Sequence, residues 1–229
     1  MCDQSGPGQP GDPGPHGPAP GPDAQKKTLI ATERDEAART SWKADVDTLA
    51  PETLVFLDET STNTSLTRLY GRAPRGERVL GQVPRNHGPN VSCLMAISPT
   101  GVLAPLAIEG AIDSAVFVRW LTEWLLPTLP RGTTVVCDNL SVHHHEDVRP
   151  AVEAAGCHLR YLPPYSPDFN PIEQVFSQLK ARLRAAGSRT FDTLVTAMGV
   201  ALDLTTPDHL ANCYRHCGYT LPDSVPQPL

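Results

Sequence analysis

Positive charge is scarce in this sequence. Its 229 residues hold 19 Lys and Arg against 25 Asp and Glu, a formal net charge of −6. That excludes a protein that holds nucleic acid by overall basicity, and leaves a local basic face open. No two of the six cysteines (Cys2, Cys93, Cys137, Cys157, Cys213, Cys217) stand as a Cys-x-x-Cys pair. The usual zinc and redox signatures are therefore missing. A chain of this length buries a core without staples, so the cysteines read as reduced thiols of a cytoplasmic protein. No basic segment followed by an apolar one opens the chain, which argues against secretion. The longest uncharged apolar stretch, residues 91–108, is broken by Ser98-Pro99-Thr100-Gly101 and reads as two strands joined by a turn, with no membrane partner.

Proline is in excess, and the excess is local. Of 24 Pro, seven fall in the first 23 residues together with six of the 17 Gly. Gly8, Gly11, Gly14 and Gly17 give a triplet period that lapses after four repeats, too short for a triple helix. The pattern predicts a disordered Pro/Gly-rich tail over residues 1–24, one domain over 25–220 and a short C-terminal tail over 221–229. Without its first 23 residues the chain carries a net charge of −3.

Within the domain, a helical stretch from Lys26 through Trp42 leads to Pro51. Leu54-Val55-Phe56-Leu57-Asp58 then has the form of a buried strand that ends in an acid. An arginine-rich connection follows, with Arg68, Arg72, Arg75, Arg78 and Arg85. Strands are expected at 91–97, 102–108, 134–138 and 158–162, and helices at 114–126, 146–155 and 171–186, followed by two more from about Phe191 and Asp208. Val116, Phe117, Trp120, Leu121, Trp124 and Leu125 are read as a buried helical stripe. The order β-β-β-α-β-α-β-α predicts an α/β protein of the ribonuclease-H-like fold, with a mixed five-stranded sheet flanked by helices. Right-handed crossovers would set the fourth strand beside the first. Neighbouring strands lie about 4.8 Å apart, so Asp58 and Asp138 would converge at one sheet edge.

The run Tyr161-Leu162-Pro163-Pro164-Tyr165-Ser166-Pro167-Asp168-Phe169-Asn170-Pro171-Ile172-Glu173 carries the third acid. Asn170 is placed to cap the next helix, Pro171 suits its first position, and Glu173 falls in its first turn, where free amides and the helix dipole favour a carboxylate. Glu173, Ser177, Lys180 and Arg184 then share one face, opposite the apolar stripe Ile172, Val175, Phe176, Leu179 and Leu183. Three carboxylates are a hard-oxygen donor set suited to two Mg²⁺ ions, with Mn²⁺ as a substitute, for in-line phosphoryl displacement. Asn139 and Asn170 are expected beside the ligands. Arg68, Arg72, Arg75 and Arg78, with Lys180 and Arg184, would track a phosphate backbone.

Each acid alone has a plainer reading. Asp58-Glu59 suits an exposed strand end, Asp138-Asn139 a turn, and Glu173 a capping position. Their joint placement by one fold favours a site. Asp168 is read as organising its turn. His143, His144 and His145 are read as a solvated loop, because consecutive side chains diverge and close no tetrahedral site. Cys213 and Cys217 are read as buried thiols.

Leu54-Val55-Phe56-Leu57-Asp58-Glu59-Thr60, Thr67-Arg68-Leu69-Tyr70-Gly71-Arg72-Ala73-Pro74-Arg75-Gly76, Val136-Cys137-Asp138-Asn139-Leu140 and residues 162–173 together resemble bacterial insertion-sequence transposases of the mariner superfamily. Thirty-four residues separate Asp138 from Glu173, the interval of that superfamily. The resemblance spans roughly residues 26–219. It implies that Asp58, Asp138 and Glu173 are the metal-binding triad of a DDE nuclease and strand transferase acting on nucleoid DNA. Such an enzyme cuts at transposon ends and joins the freed 3′ hydroxyl to target DNA, typically at TA, as a homodimer. Relatives carry helix-turn-helix modules before the catalytic domain, where this sequence has its Pro/Gly tail; the resemblance thus implies a catalytic half with a separately encoded DNA-binding half. Ser141-Val142-His143-His144-His145 also departs from the more usual Ser-His-Lys. Two other readings stand beside this one: a structure-selective nuclease of the same fold, which would yield no joined products, and an inactive regulatory remnant, which would show no metal-stimulated activity.

Overall fold

The computed structural model describes residues 31–221. The chain divides into two units, Met1–Thr32 and Glu33–Leu229. The N-terminal tail and nearly all of the C-terminal tail lie outside the described residues.

The elements run α1 (Glu36–Val46), β1 (Leu54–Thr62), β2 (Val91–Ser98), β3 (Gly101–Glu109), α2 (Ser114–Trp120), β4 (Thr134–Cys137), α3 (Val148–Ala154), β5 (His158–Tyr161), α4 (Ile172–Ala186), α5 (Phe191–Asp203) and α6 (Pro207–His216). The sheet order is β3-β2-β1-β4-β5. β1, β2 and β3 form an antiparallel meander, and β4 and β5 continue it in parallel, as the strand-and-helix rhythm of the sequence requires.

Alternation along β1 divides the core. Leu54 and Phe56 pack with α4, α5 and α6 on one face; Val55 and Leu57 pack with Phe117, Trp120, Val148 and Val152 on the other. A strand buried on both faces reads as a continuous apolar run, the signature of residues 54–57. Tyr214 is fully buried beneath the first face, and its hydroxyl lies 2.9 Å from the Leu54 carbonyl and 3.0 Å from that of Ile97. Tyr214→Phe removes a donor from two buried acceptors. It is expected to lower unfolding stability by about 1–3 kcal/mol in a denaturant titration, without changing the fold.

Four details differ from the sequence reading. α1 begins at Glu36, ten residues after Lys26, where the Asp35 side chain accepts from the Ala37 and Ala38 N–H groups, both at 2.9 Å. β1 runs on past Asp58 to Thr62, because β2 pairs with it over the whole of residues 56–62 while β4 flanks only residues 54–56. The helix after Ser114 widens into a π turn at Leu121–Leu125; Phe117, Trp120, Leu121 and Leu125 are buried, but Trp124 is turned out and 48% exposed. Asp168 does more than organise its turn. It receives Arg39 through two hydrogen bonds, at 3.0 and 2.6 Å, while the same guanidinium lies 3.9 Å over the Phe169 ring and Trp42 stacks on that ring at 5.3 Å. α1 is thereby fixed to the loop that leads into α4.

Candidate active site

Parallel pairing sets Phe56 opposite Val136, so the same register carried two residues further sets Asp58 level with Asp138. Both keep the parity of Phe56 and Val136, whose side chains face α4. α4 starts at this end of the sheet, and Glu173 lies in its first turn. Asp58, Asp138 and Glu173 accordingly line one cleft of about 450 Å³, with Asn139, Asn170, Leu140 and residues 162–167.

The acids have different settings. Asp58 is only 6% exposed; its Oδ1 accepts from the Glu59 N–H at 2.8 Å and its Oδ2 from the Asn170 side-chain amide at 3.0 Å. Burial, reinforced by the charges of Asp138, Glu173 and Glu59, pushes its carboxyl up to about 8. Asp138 is more open. Burial works against its charge, yet the hydrogen bonds from His143 and the Leu140 N–H hold its carboxyl below the ordinary value. Glu173 is exposed and its side chain makes no hydrogen bond or ion pair among the described residues; partial burial of its carboxyl, with the charge of Asp138, raises it against the pull of Lys180.

Among the described residues no Lys or Arg forms an ion pair with any of the three acids. Asn170 Oδ1 is buried and, among the described residues, without a hydrogen-bond partner. Mutually repelling carboxylates beside an orphaned acceptor fit hard divalent cations, which take oxygen donors. Among the described residues no three acidic, His or Cys side chains are already drawn onto a single point, so the acids share a cleft wall without forming a closed cage.

Two expectations are corrected here. Asn170 does not cap α4 with its side chain: Pro171 occupies the cap, and the Asn170 amide instead holds Asp58. The histidines are not a solvated loop throughout, because the first of them turns inward. His143 is completely buried, with Nδ1 2.7 Å from Asp138 Oδ1 and Nε2 3.1 Å from Glu59 Oε2. Burial disfavours its charged form, but the two carboxylates outweigh that and push it up to about 9. His144 stacks on Tyr161 with ring centroids 4.1 Å apart and lies 3.1 Å from Asn139 Oδ1, and Asn139 donates to the Leu162 carbonyl. His144 is exposed and His145 half-buried, so of the three only His143 is withdrawn from solvent. Cys213 and Cys217 are buried, as expected.

Glu59 and His143 are functional candidates that sequence reasoning missed. The signal was a His five positions after the second acid and a Glu beside the first, and only the topology joins them. The expected DNA contacts do not cluster in the cleft. Arg68, Arg72, Arg75 and Arg78 are exposed on the long connection between β1 and β2, and Lys180 and Arg184 are partly buried on α4.

An antiparallel meander extended by two parallel strands and flanked by helices is the ribonuclease-H-like fold. The family model described as DDE superfamily endonuclease matches residues 53–195, and the chain belongs to that family. Comparison with curated protein sequences finds no match. Among solved structures, the Mos1 strand transfer complex is similar at a TM-score of 0.66 and 14% identity, over 86% of this chain and 63% of that one. The Mos1 mariner paired end complex with Mn gives 0.65 and 13%, over 85% and 63%. The catalytic domain of Mos1 mariner transposase gives 0.54 and 11%, over 86% of this chain and 100% of that one. The chain thus spans about 63% of the length of the first two relatives. No helix among the described residues is long and apolar enough to cross a membrane.

Proposed function

We propose that this chain is the catalytic domain of a DDE transposase, which cleaves phosphodiester bonds at transposon ends with Mg²⁺ or Mn²⁺ and transfers the freed strand to target DNA. The observation that carries this reading is the shared cleft of Asp58, Asp138 and Glu173. Those three side chains would hold two divalent cations. Bound cations supply Lewis acidity at the phosphate and a more acidic attacking water.

The protein's own residues do the rest. Asp138 keeps Oδ2 free of hydrogen bonds among the described residues, because Oδ1 takes both His143 and the Leu140 N–H. Asn170 and the Glu59 N–H hold the two oxygens of Asp58. Glu173 stands open at the cleft mouth. The cleft lining includes no Ser, Cys or Lys paired with a base as a nucleophile, so water serves as the nucleophile in cleavage and the 3′ hydroxyl that cleavage frees serves in joining, each displacing one oxygen at phosphorus, with no protein-bound intermediate. A TA target is adopted from the family resemblance.

The exposed arginines of the β1–β2 connection support DNA as partner. Leu69, Tyr70 and Leu80, between 83% and 91% exposed on the same connection, support assembly into a homodimer on DNA. A separately encoded helix-turn-helix half would supply recognition of the ends. The test is incubation with an end-bearing duplex and Mg²⁺: nicked and joined products support the proposal, nicks alone support the structure-selective nuclease, and no metal-stimulated product supports the regulatory remnant. Replacing Arg68, Arg72, Arg75 and Arg78 together by Ala is expected to weaken DNA binding and to reduce the slope of log K against log salt by up to roughly 0.9 per lost phosphate contact, measured by fluorescence anisotropy.

A further inference from the structure

Behind the cleft, on the other face of the sheet from Asp58, lies a polar cluster that the proposed chemistry does not use directly. Glu59 follows Asp58 in β1, so alternation turns it to the opposite face. His143 ends up there through the 3₁₀ turn Ser141–His144, which folds the chain back behind β4. The imidazole is wholly buried and rests on Phe117 with centroids 4.6 Å apart, and the His143 backbone carbonyl accepts from the Tyr161 hydroxyl at 2.8 Å. Both ring nitrogens meet carboxylates: Nε2 is 3.1 Å from Glu59 Oε2, and Nδ1 is 2.7 Å from Asp138 Oδ1.

We infer that Glu59 and the buried His143 are a positioning pair that fixes the Asp138 carboxylate for cation binding, touching neither substrate nor ion themselves. This deepens the proposed function and rests on it. A carboxylate just beyond the end of a strand is free to rotate about its last bond and exchange its two oxygens. Here the Leu140 N–H, at 2.9 Å, and His143 both take Oδ1, which leaves Oδ2 as the oxygen available to the cleft. Glu59 completes the arrangement by engaging the far nitrogen, so that the imidazole keeps one ring orientation on Phe117. Outer partners of this kind typically change metal affinity or activity 10–100-fold when removed.

The test uses the full chain and Mn²⁺ as probe, with binding read from the loss of the free-ion electron paramagnetic resonance signal, which requires neither DNA nor turnover. His143→Phe preserves a ring against Phe117 but removes both N–H groups, and Glu59→Leu removes the far partner. Each is expected to weaken Mn²⁺ binding roughly 10–100-fold, and to raise the Mg²⁺ concentration for half-maximal nicking in step while nicking at saturating Mg²⁺ stays within a fewfold of the parent. Glu59→Gln, which still accepts from Nε2, should bind as the parent does. Cooperative melting with parental Mn²⁺ affinity in both disruptive variants would overturn the inference, as would unfolding of both, which would assign the pair to stability alone. If His143→Phe alone fails to melt cooperatively, Glu59→Leu decides, since Glu59 is 21% exposed and tolerates change more readily. Parental Mn²⁺ affinity in Asp138→Asn would instead remove the acid-cleft reading itself, separating the two failures.

Discussion

Asp138→Asn is expected to melt like the parent protein yet to lose about a thousandfold or more of its Mg²⁺-dependent nicking, as the loss of several kcal/mol of charge stabilisation implies. The exchange is conservative for folding. An Asn side chain can present its carbonyl oxygen where Oδ1 now accepts from His143 and from the Leu140 N–H. What changes is the other oxygen, the one without a hydrogen-bond partner, which becomes an NH₂ group unable to ligate a hard cation. Gel analysis of an end-bearing duplex, with circular dichroism as a folding control, makes the comparison. Equal cleavage by the variant would refute the assignment of Asp138 as a metal ligand.

The second large effect concerns stability in the absence of divalent ions. Asp58 stands at about 8 in the folded protein against an ordinary 3.8. The folded state therefore holds this proton more tightly than the unfolded chain, so the contribution of the group is complete below about pH 4 and drains away as pH rises towards 8. His143, raised from 6.5 to about 9, works in the same sense, complete below about 6.5 and lost towards 9. Asp138, held below its ordinary value, acts oppositely, and its contribution disappears only as the solution becomes strongly acid. Metal-free protein should accordingly melt at its highest temperature in mildly acid buffer and lose on the order of a few kcal/mol by pH 8.5. Mg²⁺ competes with protons for the same oxygens, so its stabilisation should be larger at pH 8 than at pH 5, by an amount set by mass action. Calorimetry across that range, with and without Mg²⁺, measures both effects. A melting temperature that stays level or climbs from pH 5.5 to 8.5 without metal would contradict this account of the cleft.

What the sequence made legible were features written in short periods. Residues 54–57 and 135–137 are apolar on both faces and each is followed by an acid, so the sheet order and the approach of Asp58 to Asp138 follow from strand pairing alone. The stripe Ile172, Val175, Phe176, Leu179 and Leu183 is buried as its spacing requires. The remainder depended on tertiary competition. Asn170 had two chemically reasonable uses, a helix cap and a hydrogen bond to a buried acid, and nothing local decides between them. Trp124 follows the helical spacing until a single π turn rotates it to the surface. The burial of His143 needs Glu59, 84 positions earlier in the chain, and the partner of Asp168 is Arg39, 129 positions away. Such pairings across the fold leave no mark in any window of sequence.

The contact of α1 with the loop at 167–170 bears on where this protein can be trimmed. The family match starts at residue 53, but Arg39 and Trp42 precede it and cover Asp168 and Phe169. A fragment cut at the edge of the matched region would leave an aromatic face bare and take away the brace behind the residue that steadies Asp58. The smallest piece able to fold and present its acids therefore begins upstream of the matched segment, near residue 33, with α1 as an integral buttress rather than a disposable leader.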